Sequence, residues 1–451
     1  MVPGPVIAVF DVGRTNKKLF LFNEQYKIVF EKSVCLPETV DEDGFPCEKL
    51  ENIRSFVLDS LDEVVMNKAI TVRAINFSAH GASFVYLDSN GQPVTPLYSY
   101  LKPYPDELKN KFYSTYGGEE DFSRRTASPV LGSLNSGMQL YRIKYGSPAV
   151  FDSIKYALHL PQYLSFLISG KPFSDITSIG CHTNLWDFEN NSYHPWVIQE
   201  GILEKLAPVF PSDQVFPVQY HGNNYLAGIG LHDSSAALVP YMEEFKEPFV
   251  LISTGTWCIS FNPFNHTELT AEELKHDCLC YLNYNGKPVK ASRVFSGFEH
   301  EQGLKDIAGY FNTDATRYQK IPFNPEIFNK IKQQASKTTD SPVFSKDDLS
   351  VYNNDTEAYH YLIFELVQKQ YFSTNLVLNN PGADKIFVDG GFSKNELFMN
   401  MLADVFPDHQ VYSATLAQAT AIGPAMVIHQ YWNRGALPED IIKLKYYSRI
   451  L

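Results

Sequence analysis

Short apolar runs joined by polar turns recur along the chain and predict strands. Residues 7–10 and 19–22 are two such runs, and the polar segment Asp-Val-Gly-Arg-Thr-Asn-Lys-Lys between them predicts the turn of a β-hairpin. A second unit of the same kind occupies residues 249–253 and 257–261, which Thr-Gly-Thr joins. A hairpin that is repeated once, far downstream, indicates two related domains, because a solenoid would show many short periods.

Between these hairpins, predicted strands alternate with predicted helices. Residues 73–78 and 83–88 predict strands, whereas residues 53–65, 137–145 and 162–169 carry apolar side chains at helical spacing. This alternation is typical of an α/β fold with central sheets.

The second half continues the alternation and contains a glycine-rich turn. It predicts a long helix around residues 357–380, a strand at 385–388, a helix at 393–406 and a strand at 410–412. We expect Ser393 to cap the third of these elements, with Glu396 completing a capping box. The small-residue segment 417–423 predicts a helix that could sit very close to a neighbour or a ligand.

Length and charge restrict the function classes. A chain of 451 residues with 44% apolar and 20% charged residues is globular and too long for one hydrophobic core. We place the domain boundary in the charged, proline-terminated connector near residue 240, which gives domains 1–240 and 241–451. The net charge of −13 argues against nucleic-acid and membrane partners, which require clustered Lys and Arg. A phosphorylated ligand remains compatible, because Mg²⁺ and backbone N–H groups can hold phosphates locally.

Cysteine usage and hydropathy predict a cytoplasmic location. The six cysteines lack zinc spacing and are expected to be free thiols in a reducing compartment. The first residues lack the features of a signal peptide, and no apolar run approaches the roughly 18–20 residues of a membrane span.

The turn of the first hairpin combines groups that can hold a phosphate. Gly13 lets the backbone approach an anion, Thr15 and Asn16 add hydrogen-bond donors, and Lys17 adds charge. Asp11, at the end of the preceding strand, could hold Mg²⁺ through water. A solvated surface turn explains the same residues equally well, because short turn motifs are weak evidence.

Two glycine-containing turns in the second half have the same ambiguity. Thr254, Gly255 and Thr256 offer hydroxyl and N–H groups to a phosphate, although a tight hairpin needing a positive φ at the glycine is the simpler interpretation. Gly390 and Gly391, ahead of a helix, let a nucleotide lie against the backbone. Tight packing of a strand–turn–helix connection is the alternative.

Asp233 is the candidate base. Its setting in Gly-Leu-His-Asp-Ser-Ser, at a strand-to-helix turn, suits a helix cap, and residue type alone favours the cap. Phosphoryl transfer requires one carboxylate within reach of the acceptor hydroxyl. The adjacent His232 either contacts a sugar or is a hydrogen-bonded core histidine. Residues 299–301, Glu-His-Glu, are interpreted as a solvated or hydrogen-bonded helix face without a role.

These segments, in this order and at this separation, resemble the motifs of the FGGY family of carbohydrate kinases. Residues 11–18 are similar to the first phosphate motif, and residues 254–257 to the second in the form of the rhamnulokinase-like branch. Residues 389–395 with 419–423 resemble the nucleotide motif, and residues 230–236 the catalytic motif. The resemblance covers nearly the whole chain.

The resemblance implies two related actin-like ATPase domains of the ribonuclease H-like type with a cleft between them. Domain 1–240 would carry the sugar site, the first phosphate loop and the base, and domain 241–451 the second phosphate loop and the adenosine site. The implied activity is ATP- and Mg²⁺-dependent phosphorylation of a small ketose similar to rhamnulose, fuculose, xylulose or ribulose. The family also includes homodimers, so a homodimer is compatible with the resemblance.

The resemblance also implies residue roles. Asp233 would be the general base and Asp11 would orient Mg²⁺ through water. The ATP contacts would be Gly13, Arg14, Thr15, Asn16, Lys17, Thr254, Gly255, Thr256, Gly390 and Gly391. The sugar contacts would be His80, Gly81, Gln139, His232 and Asp233.

Two departures from the family pattern concern the first phosphate loop and the sugar. Arg14 replaces a hydroxyl residue in that loop and adds a charge that attracts phosphate, and residues 97–102 lack the Asp and Arg of the usual sugar motif, so the sugar is left open. A non-catalytic nucleotide- and sugar-binding sensor is the alternative function. The presence of both Asp11 and Asp233 argues against it, because a sensor has no need of a base.

Overall fold

Two seven-stranded sheets form the frame of the molecule in the computed structural model, which describes residues 4–335, 344–378 and 382–449. The strands up to the middle of the chain are β1 Pro5–Val12, β2 Lys17–Asn23, β3 Ile28–Val34, β4 Glu38–Val40, β5 Pro46–Glu48, β6 Thr71–Ala79, β7 Phe84–Leu87, β8 Tyr156–His159, β9 Ser174–Asp175, β10 Trp186–Asp187, β11 Ser192–Tyr193, β12 Val209–Phe210, β13 Val215–Tyr220, β14 Asn223–Gly228 and β15 Leu231–His232. The later strands are β16 Phe249–Thr254, β17 Cys258–Asn262, β18 Cys278–Leu282, β19 Pro288–Val294, β20 Lys385–Gly390, β21 Gln410–Thr415 and β22 Lys443–Tyr447.

Helices connect and cover the strands. They are α1 Leu50–Val65, α2 Asp106–Thr115, α3 Glu119–Arg125, α4 Ser136–Gly146, α5 Pro148–Ser153, α6 Leu160–Ser169, α7 Ile176–Ile179, α8 Pro195–Gln199, α9 Asp233–Glu244, α10 Ala271–Lys275, α11 Ser296–Tyr310, α12 Pro325–Ala335, α13 Asp355–Leu378, α14 Glu396–Val405, α15 Ala419–Val427 and α16 His429–Trp432. Turns of 3₁₀ helix lie at Gly132–Leu134, Leu203–Lys205, Ala315–Lys320, Leu349–Val351 and Phe392–Lys394. No helix in the described ranges is long and apolar enough to cross a membrane.

The two sheets have related topologies, as the repeated hairpin predicts. The first has the order β13-β14-β6-β1-β2-β3, with β15 beside the end of β6, and β1 pairs antiparallel with β2 and parallel with β6. The second has the order β18-β19-β17-β16-β20-β21-β22, and β16 pairs antiparallel with β17 and parallel with β20. Each sheet is therefore centred on a hairpin strand that a later parallel strand joins, and the α/β prediction is confirmed.

The central strand β1 is buried on both faces, so it reads as a continuous apolar run. On one face Phe10 stacks on Phe77 at 5.9 Å between ring centroids and meets Phe56 of α1 edge-on. On the other face, Ile7 and Val9 pack in the apolar cluster that contains α9 and α15. A helix from the end of the chain thus packs on the first sheet.

Helices α9 and α15 cross so closely that their backbones leave room only for a glycine at the crossing point. A Cβ atom added to Gly423 would lie 2.0 Å from the carbonyl oxygen of Ala236. This contact confirms that the small-residue segment 417–423 lies against a neighbour. The crossing holds the N-terminal end of α9, where Asp233 begins the helix, in a fixed relation to α15.

Two predicted element boundaries differ from the structure. The helix predicted at 393–406 begins at Glu396, because the Asn395 side chain caps it by accepting from Phe398 N at 3.1 Å. The Ser393 hydroxyl instead donates to the carbonyl of Gly390 at 2.8 Å, so the predicted capping box is wrong. The predicted helix 357–380 is α13, and its positions 379–380 lie outside the described residues. The domain boundary near residue 240 falls within α9 and stays a prediction.

Candidate active site

Three acidic and histidine-bearing segments meet at one edge of the first sheet. Strand β6 lies between β1 and β15, and Ser78 is the partner of both Asp11 and Leu231. Asp11 ends its strand there, the segment containing His80 follows β6, and Asp233 follows β15. All three strands run parallel, and the carboxyl ends of parallel strands are the usual place for ligands in α/β proteins.

Asp11 is a buried carboxylate at this edge. Its Oδ2 accepts a hydrogen bond from Thr420 Oγ1 of α15 at 2.7 Å. Burial and the charge of Asp233 raise the pKa of Asp11 from 3.8 to about 6, against the lowering effects of Thr420 and Lys18. Lys18 Nζ also lies 3.4 Å from Gln418 Oε1. The contacts of Asp11 and of Lys18 therefore both join the first hairpin to the second half of the chain.

Asp233 is the first residue of α9, and its side chain is 30% exposed. Its Oδ1 accepts from the backbone N–H of Ser234 at 2.6 Å and lies 3.3 Å from His232 Nε2. The preceding His232 is the N-cap residue by backbone position but makes no side-chain cap hydrogen bond. Asp233 therefore does not occupy the cap position that residue type alone favours.

The tips of the two main hairpins have similar turns. The N–H of Gly13 donates to the carbonyl of Asn16 at 3.0 Å, and the N–H of Gly255 donates to the carbonyl of Trp257 at 2.9 Å. Thr15 and Asn16 in the first turn, and Gly255 and Thr256 in the second, are exposed. Both tips are thus accessible to a ligand.

The second hairpin is locked to the glycine-rich turn at residues 389–391. The carbonyl of Thr254 accepts from Gly391 N at 2.9 Å, and the Thr254 hydroxyl accepts from Phe392 N at 2.9 Å and donates to the carbonyl of Asp389. Gly390 has φ +89°, and a Cβ there would lie 2.0 Å from Thr254 O. Only glycine satisfies both conditions, so two separately predicted motifs form one unit.

A cavity of about 540 Å³ opens beside this unit, a size suited to a nucleoside. Its walls are Thr254, Gly255, Gly297, His300, Leu304, Tyr359, Gly391, Phe392, Lys394 and Asn395. The residues of α11 and α13 in this wall carry no motif, and sequence reasoning missed them.

Residues 299–301 form a helix face in which His300 is hydrogen-bonded. Its ring is buried, which lowers its pKa to about 4, and Nε2 lies 3.2 Å from the Tyr359 hydroxyl inside the cavity wall. Glu299 and Glu301 do form the expected helix-face ion pairs, with Lys369 and with Lys305. The interpretation as a solvated or hydrogen-bonded helix face is therefore confirmed, whereas the place of His300 in the cavity wall was not predicted.

The predicted sugar wall comes together beside Asp233. A Cβ on Gly81 would lie 2.3 Å from Cδ2 of His232, so the two residues are in direct contact. His80 Nε2 donates to Glu48 at 2.9 Å, and its ring meets the Tyr100 ring edge-on at 5.6 Å. Glu48 was not predicted, because no motif marks it, and Tyr100 was named only as part of residues 97–102, where the usual sugar motif is absent.

Lys17 is a correction to the predicted phosphate contacts. It is 1% exposed, its ammonium pairs with Glu48 at 2.5 Å, and it donates to the carbonyl of Arg14 at 2.6 Å. The Lys17 ammonium is therefore neutralised inside the protein by Glu48, and it stabilises the turn through the carbonyl of Arg14. Arg14 leans toward the sugar side, with its guanidinium 5.3 Å from the centre of the Tyr100 ring and 3.3 Å from Glu38.

Gln139 is a second correction. It is fully buried, and its amide donates to the carbonyls of Ala82 and Ser133 at 2.8 and 2.6 Å. Its position fixes the backbone that follows His80 and Gly81. It supports the predicted sugar wall from behind and does not form its surface.

Comparison with known proteins gives matches along nearly the whole chain. The family model described as "FGGY family of carbohydrate kinases, N-terminal domain" matches residues 6–233, and the model described as "Carbohydrate kinase FGGY, C-terminal domain" matches residues 246–436. A rhamnulokinase of Oceanobacillus iheyensis is 23% identical over 426 residues, which cover 86% of this chain and 84% of the relative. An L-fuculokinase of Escherichia coli is 24% identical over 274 residues, which cover 56% of this chain and 55% of the relative.

Solved structures agree on the fold. A carbohydrate kinase from Novosphingobium aromaticivorans superimposes with a TM-score of 0.79 at 21% identity, over 98% of this chain and 96% of its own. The two-domain actin-like ATPase architecture predicted from the motifs is therefore confirmed.

Proposed function

The chain belongs to the FGGY family of carbohydrate kinases and is an ATP-dependent sugar kinase, and from this we propose that it transfers the γ-phosphoryl group to a hydroxyl of a small ketose with Asp233 as the base. The observation that supports this most is the meeting of Asp11, His80 and Asp233 at one sheet edge. A sugar hydroxyl at this edge would have one carboxylate to accept its proton and another to orient the metal. The sensor alternative is not favoured.

The adenosine of ATP would lie in the cavity between α11, α13 and the Gly390–Gly391 turn. Its phosphates would extend past the exposed tips at Thr15–Asn16 and Gly255–Thr256, where N–H and hydroxyl groups can bind them. The buried position of Lys17 leaves Lys18, near Asp11, as the better candidate for charge neutralisation in this turn.

Mg²⁺ fits the donors at the sheet edge. Burial and the nearby carboxylate of Asp233 raise the pKa of Asp11, so a bound cation would stabilise the charged form of Asp11. Mg²⁺ prefers carboxylate oxygens of this kind as ligands. When bound, Mg²⁺ neutralises charge on the transferring phosphate. Asp11 would hold it through water, and the Thr420 hydroxyl would fix the orientation of the Asp11 carboxylate.

Replacing Asp11 with Asn is expected to stabilise the metal-free protein at pH 8 while lowering turnover. The folded-state pKa of about 6 lies above the ordinary 3.8, so protonated Asp11 favours folding, and this contribution is lost as pH rises through 6. The difference between the two pKa values of Asp11 corresponds to about 3 kcal/mol of unfolding free energy. Denaturant unfolding without Mg²⁺ should show a gain for Asp11→Asn that is much larger at pH 8 than at pH 4. An equal gain at both pH values would contradict the origin we assign to it.

The ketose would lie against the wall formed by His80, Gly81 and His232. Nδ1 of His80 is buried and has no hydrogen-bond partner within the described part of the chain. Its other nitrogen is fixed on Glu48, so a sugar hydroxyl is the natural partner for Nδ1. Burial acts to raise the pKa of Glu48, but His80 and Lys17 lower it to about 2, so the carboxylate stays charged.

Replacing Glu48 with Gln is expected to raise the KM for the sugar about tenfold, since a hydrogen bond to a charged group contributes about 1.5–3 kcal/mol and the amide retains part of it. The KM for ATP should change much less. Steady-state kinetics with each substrate varied in turn measure both. Glu63→Gln is the matched control, because Glu63 forms an exposed ion pair with Lys32. An unchanged sugar KM in Glu48→Gln would show that His80 needs no such support.

The relatives' names put 6-deoxyketohexoses first among candidate substrates, because rhamnulose and fuculose are both of this class. The test is ADP production with Mg·ATP across L-rhamnulose, L-fuculose, L- and D-xylulose, L- and D-ribulose and glycerol. Saturable turnover with one ketose, together with identification of the phosphorylated hydroxyl, would establish the proposal. Confirmed ATP binding with no turnover on any ketose would contradict it. A cytoplasmic location and a homodimer stay predictions.

A further inference from the structure

A thiol and two imidazoles converge behind Asp233. One ligand atom each of Cys181, His182 and His232 lie within 4.8 Å of one another, and all three residues are buried. Cys181 and His182 belong to the segment after the short helix α7, whereas His232 ends β15. The proposed transfer reaction makes no use of the first two.

We propose that Cys181, His182 and His232 form a site for a zinc-class divalent cation, and that occupation of this site blocks the sugar kinase. A thiolate with two imidazoles is a donor set that such cations prefer. Tetrahedral zinc, with Zn–S of about 2.3 Å and Zn–N of about 2.0–2.1 Å, separates sulfur and nitrogen by about 3.5 Å. Cys181 Sγ and His232 Nε2 are 3.5 Å apart.

The hydrogen bonding of His182 is that of a metal ligand. Its Nδ1 donates to the backbone carbonyl of Leu134 at 3.2 Å, which leaves the lone pair on Nε2. Histidines that bind metals usually donate their other ring N–H to a carbonyl or carboxylate in this way.

Ordinary core packing explains the cluster less well. A Cys181–His232 hydrogen bond accounts for the two atoms at 3.5 Å, but it gives no reason for a ligand atom of His182 to lie within 4.8 Å of both. His182 also has φ +38°, in the left-handed region that residues other than glycine adopt uncommonly. Such strain is retained where surrounding structure requires it.

The site is placed to control Asp233. Asp233 Oδ1 lies 3.3 Å from His232 Nε2, so a cation bound to that nitrogen would act on the carboxylate through its charge and make it a weaker base toward the sugar hydroxyl. Burial raises the pKa of the Cys181 thiol, so a cation that binds there must displace the thiol proton to solvent, and Arg293 acts in the opposite direction by favouring the thiolate. Arg293 would also repel the cation, but Asp277 binds its guanidinium at 2.6 Å and offsets the repulsion. The inhibitory part of this inference rests on the proposed role of Asp233, whereas the cation site does not.

Titration of the metal-free full-length protein with Co²⁺, without sugar or nucleotide, tests the site directly. The wild type should show tetrahedral Co²⁺ bands and a thiolate-to-cobalt charge-transfer band. Cys181→Ser should lose the charge-transfer band, and His182→Asn should weaken binding at least tenfold. Asparagine is chosen because it tolerates the left-handed backbone at this position. Cys35→Ser, which removes the exposed thiol, is the matched control and should behave as the wild type.

The absence of the thiolate band in the wild type, or its survival in both Cys181→Ser and His182→Asn, would overturn the site. Loss of the band in Cys35→Ser alone would do the same. If Cys181→Ser does not fold, His182→Asn decides the matter.

Inhibition is tested separately, with Zn²⁺ added at saturating Mg·ATP. It should be competitive with the sugar, reversed by a chelator and at least tenfold weaker in His182→Asn than in the wild type. Inhibition of equal strength in both proteins would overturn the link to Asp233. Since the Co²⁺ spectra need no turnover, failure of the kinase proposal and failure of the cation site give different results.

Discussion

Replacement of Asp233 with Asn is expected to lower kcat by two to four orders of magnitude, the usual contribution of a general base. The amide has the same shape and keeps an oxygen that can accept from the Ser234 N–H, as Oδ1 does now at 2.6 Å. It cannot accept the proton of the sugar hydroxyl. The contacts of Asp233 in the described ranges are made by Oδ1, so Oδ2 is the oxygen left to accept the proton of the sugar hydroxyl.

The expected signature is a loss of turnover without a loss of binding. Single-turnover ADP formation and calorimetric ATP binding distinguish the two, since the cavity for the nucleotide contains no part of Asp233. Asp59→Asn, an exposed carboxylate on α1, is the control and should retain full activity. Turnover by Asp233→Asn within a few-fold of the wild type would remove Asp233 from the role of base.

Much of the frame was predictable because it depends on local pattern. The apolar runs of β1 and β16, each followed by a glycine-containing turn, indicate the two sheets without any knowledge of long-range contacts. The turn at Gly390 was predictable for the same reason, since the positive φ and the contact with Thr254 both require glycine. Strands and turns that satisfy local rules are those that sequence reasoning finds.

The parts that sequence reasoning missed depend on contacts between distant residues. The hydrogen bond from Thr420 to Asp11 joins positions 409 apart, and no local pattern signals it. Lys17 was assigned to phosphate for its charge and by resemblance to the family's first phosphate motif, whereas Glu48 on the short strand β5 pairs with it inside the protein. Burial of a charge is decided by its partner, and the partner is invisible in a single sequence.

The cavity wall shows the same limit. His300 lies in α11 and contacts Tyr359. The mixture of polar residues in this helix gives no sign in the sequence of which face is buried. The cavity proposed for the nucleotide therefore consists of a predictable half, the glycine turns, and an unpredictable half, the helices α11 and α13. The two halves meet where Gly297 of α11 packs against the backbone of Gly255.

Replacement of Gly297 with Ala is expected to lower kcat/KM for ATP about a hundredfold, the effect of displacing a binding element by about 1 Å. Gly297 is in the first turn of α11, and a Cβ there would lie 1.8 Å from the carbonyl oxygen of Gly255. Backbone oxygen cannot yield as a flexible side chain can, so the helix or the second phosphate loop must shift. Either shift moves a wall of the nucleotide cavity.

The same helix supplies the control. Gly309 is the penultimate residue of α11, and a Cβ there meets nothing within 4 Å. Gly309→Ala should keep ATP kinetics unchanged and stabilise the protein by up to about 1 kcal/mol, because alanine is the better helix former. Gly297→Ala should lose ATP affinity while its sugar binding, on the other sheet, stays near the wild type. If both variants lost ATP affinity equally, helix α11 would act on the site through its stability, and the contact with Gly255 would not be what positions the phosphate loop.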